Sequence, residues 1–259
     1  MSGTKRRYPG LHGGAWSPAA PQLLKDVWTL AITYQADPDA IRDALPPGLE
    51  PHPDGRVEMT MYAIPDPAQT SGFGAFSLTY ITLEVAGHDG HAQEGTVPIP
   101  GRAWAFYWND SHRVRSYARE AVGIPAEPGS CAWHHHADGR LESVLTVDGA
   151  PVIRLTVEAT ETPADKIGGT LNYFTHRQIP NLDGHGFAID ELVFVPIPFV
   201  VESFKARPVA LEFAFAEGHA AGRLRPIRPV AEATLLYGTV TFTYSQARRI
   251  LNYLDGAAG

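Results

Sequence analysis

Cysteine is all but missing from this chain: Cys131 stands alone among 259 residues. One thiol excludes an intrachain disulfide framework and any multi-thiolate zinc or iron–sulfur site. Placed before Ala132 and Trp133 with no motif to activate it, Cys131 reads as a small buried hydrophobe. Charge is sparse as well. Asp, Glu, Lys and Arg make up 19% of the residues, the formal charge is −7, and no basic run exceeds Lys5-Arg6-Arg7. Such a surface suits neither nucleic acid nor an anionic membrane, so neither partner is expected. No segment approaches the roughly 18 apolar residues of a membrane span, and the first thirty residues carry no continuous apolar signal core. A cytoplasmic location is the expectation. Lysine is rare, with Lys5, Lys25, Lys166 and Lys205 as its whole complement.

What the chain has in quantity is apolar residues, at 44%, and turn formers, with 25 Gly and 22 Pro. Residues 1–24 read as an irregular arm and 25–259 as a single domain. Trp28 to Tyr34 is rich in β-branched and aromatic residues and reads as a strand. Asp37 then offers an N-cap, Pro38 the first helical position and Pro46-Pro47-Gly48 a stop, which predicts one short helix. Period two returns at Val57-Glu58-Met59-Thr60-Met61-Tyr62, setting Val57, Met59 and Met61 on one face and Glu58, Thr60 and Tyr62 on the other.

Further strands are expected at Phe76 to Val85, Ala103 to Trp108, Ala132 to His136, Leu141 to Val147, Val152 to Ala159 and Tyr173 to Ile179. Leu192 to Phe204, Val209 to Phe215 and Glu232 to Tyr244 extend the series. Helices are predicted over Asp110 to Val122 and, capped by Ser245, over Ser245 to Leu254. Short strands at such spacing predict a mainly β (α+β) protein whose antiparallel sheet closes or folds over on itself.

Several segments, in order, resemble the acetoacetate decarboxylase family. Ile32-Thr33-Tyr34-Gln35-Ala36-Asp37 through Leu45-Pro46-Pro47-Gly48-Leu49-Glu50 is similar to that family's strand, Asp-started helix and "Pro-x-x-Leu-Glu" exit. Val57-Glu58-Met59 leads to Thr70-Ser71-Gly72-Phe73-Gly74 in the same manner. Ala118-Arg119-Glu120-Ala121-Val122-Gly123-Ile124-Pro125-Ala126-Glu127 resembles the family's Gly-Arg-Glu-x-x-Gly-x-Pro-Lys-Lys. Ile179-Pro180-Asn181-Leu182-Asp183-Gly184 sits where the family has a Pro-Asn-x-Asp-Gly turn, and Ile250-Leu251-Asn252-Tyr253-Leu254 resembles its last helix. The resemblance implies a cone-like antiparallel β-barrel with a few peripheral helices, a homo-oligomer and a pocket at the barrel centre.

It does not carry the family's chemistry across. There the first lysine of the pair forms a Schiff base with a ketone while the second lowers its pKa. Here those positions are Ala126 and Glu127, and alanine cannot form an imine. Glu127 would favour the protonated form of a nearby amine, the opposite of the required shift. The family's pocket glutamate aligns with Leu78 and its basic residue before the first strand falls near Val27. Glu58 keeps its type, and Arg119-Glu120 are retained in the helix.

The catalytic candidates are therefore Glu58, Arg119 and Glu120. Glu58 would gain a raised pKa if buried against aromatic neighbours, and would otherwise be an exposed strand residue or a partner of Arg119. Arg119 and Glu120 are adjacent on a helix and do not face each other, which favours a structural role. Candidate substrate contacts are Tyr62, Phe76, Trp108, His134, His136 and His176. His134 and His136 share a strand face, a metal or base arrangement in kind. Spacing supplies no third ligand from His112, His176, His185 or Asp138, so a surface hairpin is the preferred reading and no metal is expected. His176-Arg177 falls where the family has a lysine-containing strand, a place from which either side chain could reach an anionic group or simply face solvent. Along Trp104-Ala105-Phe106-Tyr107-Trp108, alternation sets Trp104, Phe106 and Trp108 on one face.

These residues, with no cofactor, point to a lyase-type enzyme acting on an enolisable carbonyl or polyketide-like substrate by general acid–base catalysis. The alternatives are a non-catalytic small-molecule-binding barrel, or a decarboxylase using a relocated lysine, with Lys25 and Lys205 the nearest to pocket-facing strands.

Overall fold

The computed structural model describes residues 22–92, 99–164, 168–230, 233–242 and 247–256. The expected arm falls outside them up to residue 21, as do Lys5, Lys166 and the Ser245 cap. In chain order the first elements are β1 (Gln22–Gln35), α1 (Pro38–Ala44), β2 (Arg56–Ile64), β3 (Phe76–Val85), β4 (His91–Ala92), β5 (Gly101–Asn109) and α2 (His112–Tyr117). There follow β6 (Ala126–Pro128), β7 (Ser130–His135), β8 (Arg140–Val147), β9 (Ala150–Pro163) and β10 (Gly168–Pro180). The chain continues with β11 (Phe187–Phe213), α3 (Ala220–Arg223), β12 (Ala233–Phe242) and β13 (Arg248–Asn252).

The fold is mainly β, as expected. Strands run β10-β5-β3-β2-β1-β12-β11 side by side, and the antiparallel ladder between β10 and β11 returns the sheet to its start. That pairing closes a ring and removes its free edges, the arrangement of a barrel. Most neighbours are antiparallel, and the β5–β10 contact is parallel. The distal half of β11 leaves the ring and pairs with β9, which with β8 and β7 forms a second layer.

Two apolar clusters follow from this layering. Val57, Met59 and Met61 of β2 pack with Leu141, Leu145, Leu155 and Val157 of the second layer, all nearly inaccessible. The opposite face of β2 points into the ring, where Tyr62 packs with Leu78, Trp104, Tyr107 and Tyr173. Each fully buried Met or Leu side chain contributes about 1.5–3 kcal/mol. The α1 helix starts where Asp37 accepts hydrogen bonds from the Asp39 and Ala40 amides, at 2.8 and 3.3 Å.

Three expectations are corrected. The strands foreseen at Leu192 to Phe204 and Val209 to Phe215 are one continuous β11, whose Pro208 coincides with an irregularity in the β9 ladder. The helix foreseen over Ser245 to Leu254 is β13 followed by a 3-10 turn at Tyr253–Gly256; β13 pairs with β11, whose backbone groups outweigh the weak helical signal. The helix foreseen over Asp110 to Val122 is α2 continued by a π-turn at Ala118–Val122.

That π-turn ends on Gly123 at φ 78°, where an added Cβ would lie 2.5 Å from the Cβ of Arg177 on β10. Gly139 has a similar φ of 85° with nothing within 4 Å of the same position. The left-handed backbone alone costs an alanine about 1–2 kcal/mol, and overpacking adds about 1–3 kcal/mol. Gly123→Ala is therefore expected to lower stability by about 2–5 kcal/mol in urea unfolding and Gly139→Ala by about 1–2 kcal/mol. Equal losses would show that the close approach of Arg177 has no energetic effect.

Candidate active site

The ring encloses a cavity of about 450 Å³, within the range of small-molecule sites. Its wall is mostly apolar and aromatic: Tyr62, Trp104, Tyr107 and Phe199 contribute rings, and Ile124, Leu171 and Ile197 aliphatic surface. Glu58 and Arg102 are the charged side chains among the described lining residues.

Strand register explains why they meet. Glu58 on β2 lies opposite Thr82 on β3, and Glu84, two residues further along β3, lies opposite Arg102 on β5. Residues two apart share a face, so Arg56, Glu58, Glu84 and Arg102 all lie on the inner side. Arg102 Nη1 donates to Glu58 Oε1, and its Nη2 lies 3.8 Å from Glu84. Glu84 in turn takes Arg56 Nε at 2.5 Å. The result is a row of alternating charges, Arg56–Glu84–Arg102–Glu58, running from a partly exposed guanidinium to the cavity wall.

Hydroxyl groups complete the cluster. Thr60 Oγ1 donates to Glu58 Oε1 at 3.2 Å, and the Tyr80 and Tyr173 hydroxyls share a hydrogen bond of 3.3 Å. Tyr80 also reaches Thr60, and Tyr173 reaches Arg102, so five polar side chains form a loop on the wall. Trp104 stacks on Tyr173 with centroids 4.2 Å apart and holds that ring in place. The Nε of Arg102 and the indole N–H of Trp104 are buried with no hydrogen-bond acceptor among the described residues.

Burial sets the protonation states. It pushes Glu58 above the ordinary carboxylate range, opposed by the neighbouring Arg102 guanidinium and reinforced by Glu84. Burial also pushes Tyr80, Tyr107 and Tyr173 upward, so their hydroxyls keep their protons at neutral pH. Burial works against the charge of Arg102, but the facing Glu58, with Glu84 beyond it, outweighs that effect and holds the guanidinium protonated. The wall thus offers a carboxyl poised toward protonation, a fixed cation and two protonated phenols tied into one hydrogen-bonded loop.

Of the residues expected to form the site, Glu58 and Tyr62 line the cavity. Phe76 lies behind Tyr62, edge-on to it at 6.3 Å. Trp108 faces away, stacked on Phe106 and Phe215 at 5.6 Å each, because a bulge at Ala105 reverses the alternation of β5. Hence Tyr107 joins Trp104 on the cavity side, and Phe106 and Trp108, expected to share the face of Trp104, turn away from it. Arg119 is exposed, and Glu120 accepts at its backbone carbonyl from Arg177 Nη2 at 3.3 Å; neither reaches the cavity. His134 and His136 are exposed on the β7–β8 hairpin, and His176 bonds Asp190 at 2.6 Å outside the ring. Among the described residues no cluster of three His, Cys, Asp or Glu is placed to hold a metal ion.

Ala126 is buried beside Tyr107 in register, and Glu127 beside Trp108 is exposed. Lys25 and Lys205 are exposed, and among the described residues no lysine lines the cavity. Reading the sequence alone missed Arg102, Tyr80 and Tyr173. Arg102 follows Pro98-Ile99-Pro100-Gly101, which reads as a turn, and only the strand register brings it to Glu58.

Removing one member of a buried ion pair leaves the other unpaired, at about 3–5 kcal/mol. Arg102→Met is expected to lose stability on that scale at pH 8. Without the guanidinium the Glu58 carboxyl rises further above its unfolded value, so the penalty is full above the folded pKa and fades as pH falls toward the unfolded one. Urea unfolding at pH 5 and pH 8 is expected to show the smaller deficit at pH 5; a deficit independent of pH would contradict a charged Glu58–Arg102 pair.

Solved structures share this architecture. An acetoacetate decarboxylase from Legionella pneumophila subsp. pneumophila str. Philadelphia 1 is 19% identical, with 92% of this chain and 90% of that one covered at a TM-score of 0.75. The enduracididine biosynthesis enzyme MppR, complexed with pyruvate, is 20% identical, with 93% and 94% covered at 0.69. An acetoacetate decarboxylase-like enzyme from Sphingomonas wittichii RW1 is 18% identical, with 93% and 96% covered at 0.68. At these identities the likeness is one of fold. No curated protein matches the chain. The family model described as acetoacetate decarboxylase (ADC) matches residues 8–249, nearly the whole length, and the chain therefore belongs to that family.

Proposed function

We propose that this chain is a lyase-type enzyme that transforms an enolisable carbonyl compound by general acid–base catalysis, without a Schiff base. The observation that carries the reading is the contact of Glu58 with Arg102 on the wall of an aromatic cavity that no described lysine lines. Family membership supports an enzymatic role, and Ala126 at the position of the imine-forming residue directs the chemistry elsewhere.

The steps follow from the groups present. A ketone oxygen placed near the phenols takes over the hydrogen bond that Tyr173 otherwise gives to Tyr80, with the Arg102 guanidinium close behind. The ionised Glu58 removes a proton from the α-carbon. The electron pair of that C–H bond forms the enolate, whose oxygen charge is stabilised by the same donors. Where the substrate carries a β-hydroxyl, Glu58 returns its proton to that oxygen as the C–O bond breaks, giving water and an enone. Atoms balance, and Glu58 ends as it began. A carboxyl that burial makes easier to protonate can serve both halves, taking the proton and then returning it.

Exchange of the α-protons of a neutral methyl ketone in D₂O, followed by NMR, tests the first step without knowledge of the natural substrate. Glu58→Gln is expected to reduce enzyme-catalysed exchange by about 10²–10⁴-fold while the variant still binds the ketone. Borohydride with the same ketone is expected to leave no covalent adduct in the intact-protein mass. Exchange unaffected by the substitution would overturn Glu58 as the base, and an adduct would restore imine chemistry.

A further inference from the structure

The charge row has a second property, which bears on the kind of molecule the cavity accepts. Its four members cancel: Arg56 and Arg102 against Glu84 and Glu58. Arg102 is the cation among the described lining residues, and Glu58 is in direct contact with it. Among the described residues other elements add no charge to the lining. Tyr80 and Thr60 face Glu58 from β3 and β2, Tyr173 faces Arg102 from β10, and β1 brings Thr33 opposite Glu58.

A carboxylate ligand entering this space therefore meets no unmatched positive charge. Seated on Arg102, it places a second anion beside Glu58 in a mostly apolar enclosure, where like charges repel strongly. An uncharged carbonyl compound meets no such opposition. The Arg102 Nε and Trp104 N–H, which have no acceptor among the described residues, would be open to it with the Glu58–Arg102 pair left intact.

We infer that Glu58 is a specificity-determining residue which, by neutralising Arg102, makes this cavity select uncharged carbonyl ligands over keto acids, a carboxylate entering only together with a proton. This inference rests on the cavity being the carbonyl site proposed above, and deepens that reading by naming the charge class of its ligand. It concerns binding alone, so it is separable from whether Glu58 abstracts a proton.

Acetylacetone and acetoacetate test it, being nearly equal in size and differing by one negative charge near pH 7.5. Isothermal calorimetry on the full chain is expected to show acetylacetone binding about tenfold or more tightly, the equivalent of at least one pH unit of proton competition. Repeating the acetoacetate titration in buffers of different ionisation enthalpy is expected to show uptake of roughly one proton for acetoacetate and none for acetylacetone. These measurements need no variant. Glu58→Gln, which keeps the shape and removes the charge, is expected to reverse the preference and abolish the proton uptake.

Acetoacetate binding the unmodified protein as tightly as acetylacetone, with no proton taken up, would overturn the inference. Absence of binding by either compound would overturn it together with the carbonyl-site reading. The expected selectivity without any α-proton exchange would uphold the inference and remove only the catalytic reading.

Discussion

The contact between Glu58 and Arg102 joins β2 to β5 across β3 and fixes the character of everything around it. Two charges on the wall of a small apolar space survive only as a pair, and the pair is further held by Glu84, Thr60 and Tyr173. Its geometry comes from backbone register, since three neighbouring strands must each turn alternate residues inward to bring the groups together. The aromatic rings then exclude water, which strengthens the pair and lifts the carboxyl. Structure and electrostatics are therefore one problem here: the arrangement that buries the paired charges is also what raises the Glu58 carboxyl.

Much of the architecture was legible in the sequence because alternation is a local signal. The faces of β2 were read from Val57-Glu58-Met59-Thr60-Met61-Tyr62 and match the two clusters on either side of that strand. The N-cap at Asp37 and the run of Phe76–Val85 were equally plain. What was lost depended on distant partners. A bulge inserts one residue, Ala105, against β3, and it separates Phe106 and Trp108 from the face of Trp104 and brings Tyr107 onto it. Nothing local distinguishes a bulged aromatic strand from a regular one. In β13, Ile250 and Leu251 fit a helix as readily as a strand until β11 presents a row of backbone groups to be paired.

The same contrast governs the site. Glu58 was found because a carboxylate stood on one face of an apolar strand. Its partner Arg102 lies 44 positions away at the start of a strand that follows two prolines and a glycine. Tyr80 and Tyr173 are 93 positions apart and meet only because the sheet closes on itself. The histidines, conspicuous as a tripeptide, lie on a solvated hairpin. Clustering along the chain and clustering in space are different things in a β-protein with so many long-range pairings.

The closure of the ring depends on β11, which takes part in both layers. Its first half carries Ile197, Phe199 and Val201 on the cavity wall, and its second half is laced to β9. Since the main chain passes between the two without interruption, the outer sheet and the inner wall are joined like the two arms of a lever. The irregularities of the β9 ladder after Phe204 and after Pro208 lie between those two stretches, so a single strand serves both layers while pairing with each in its own register.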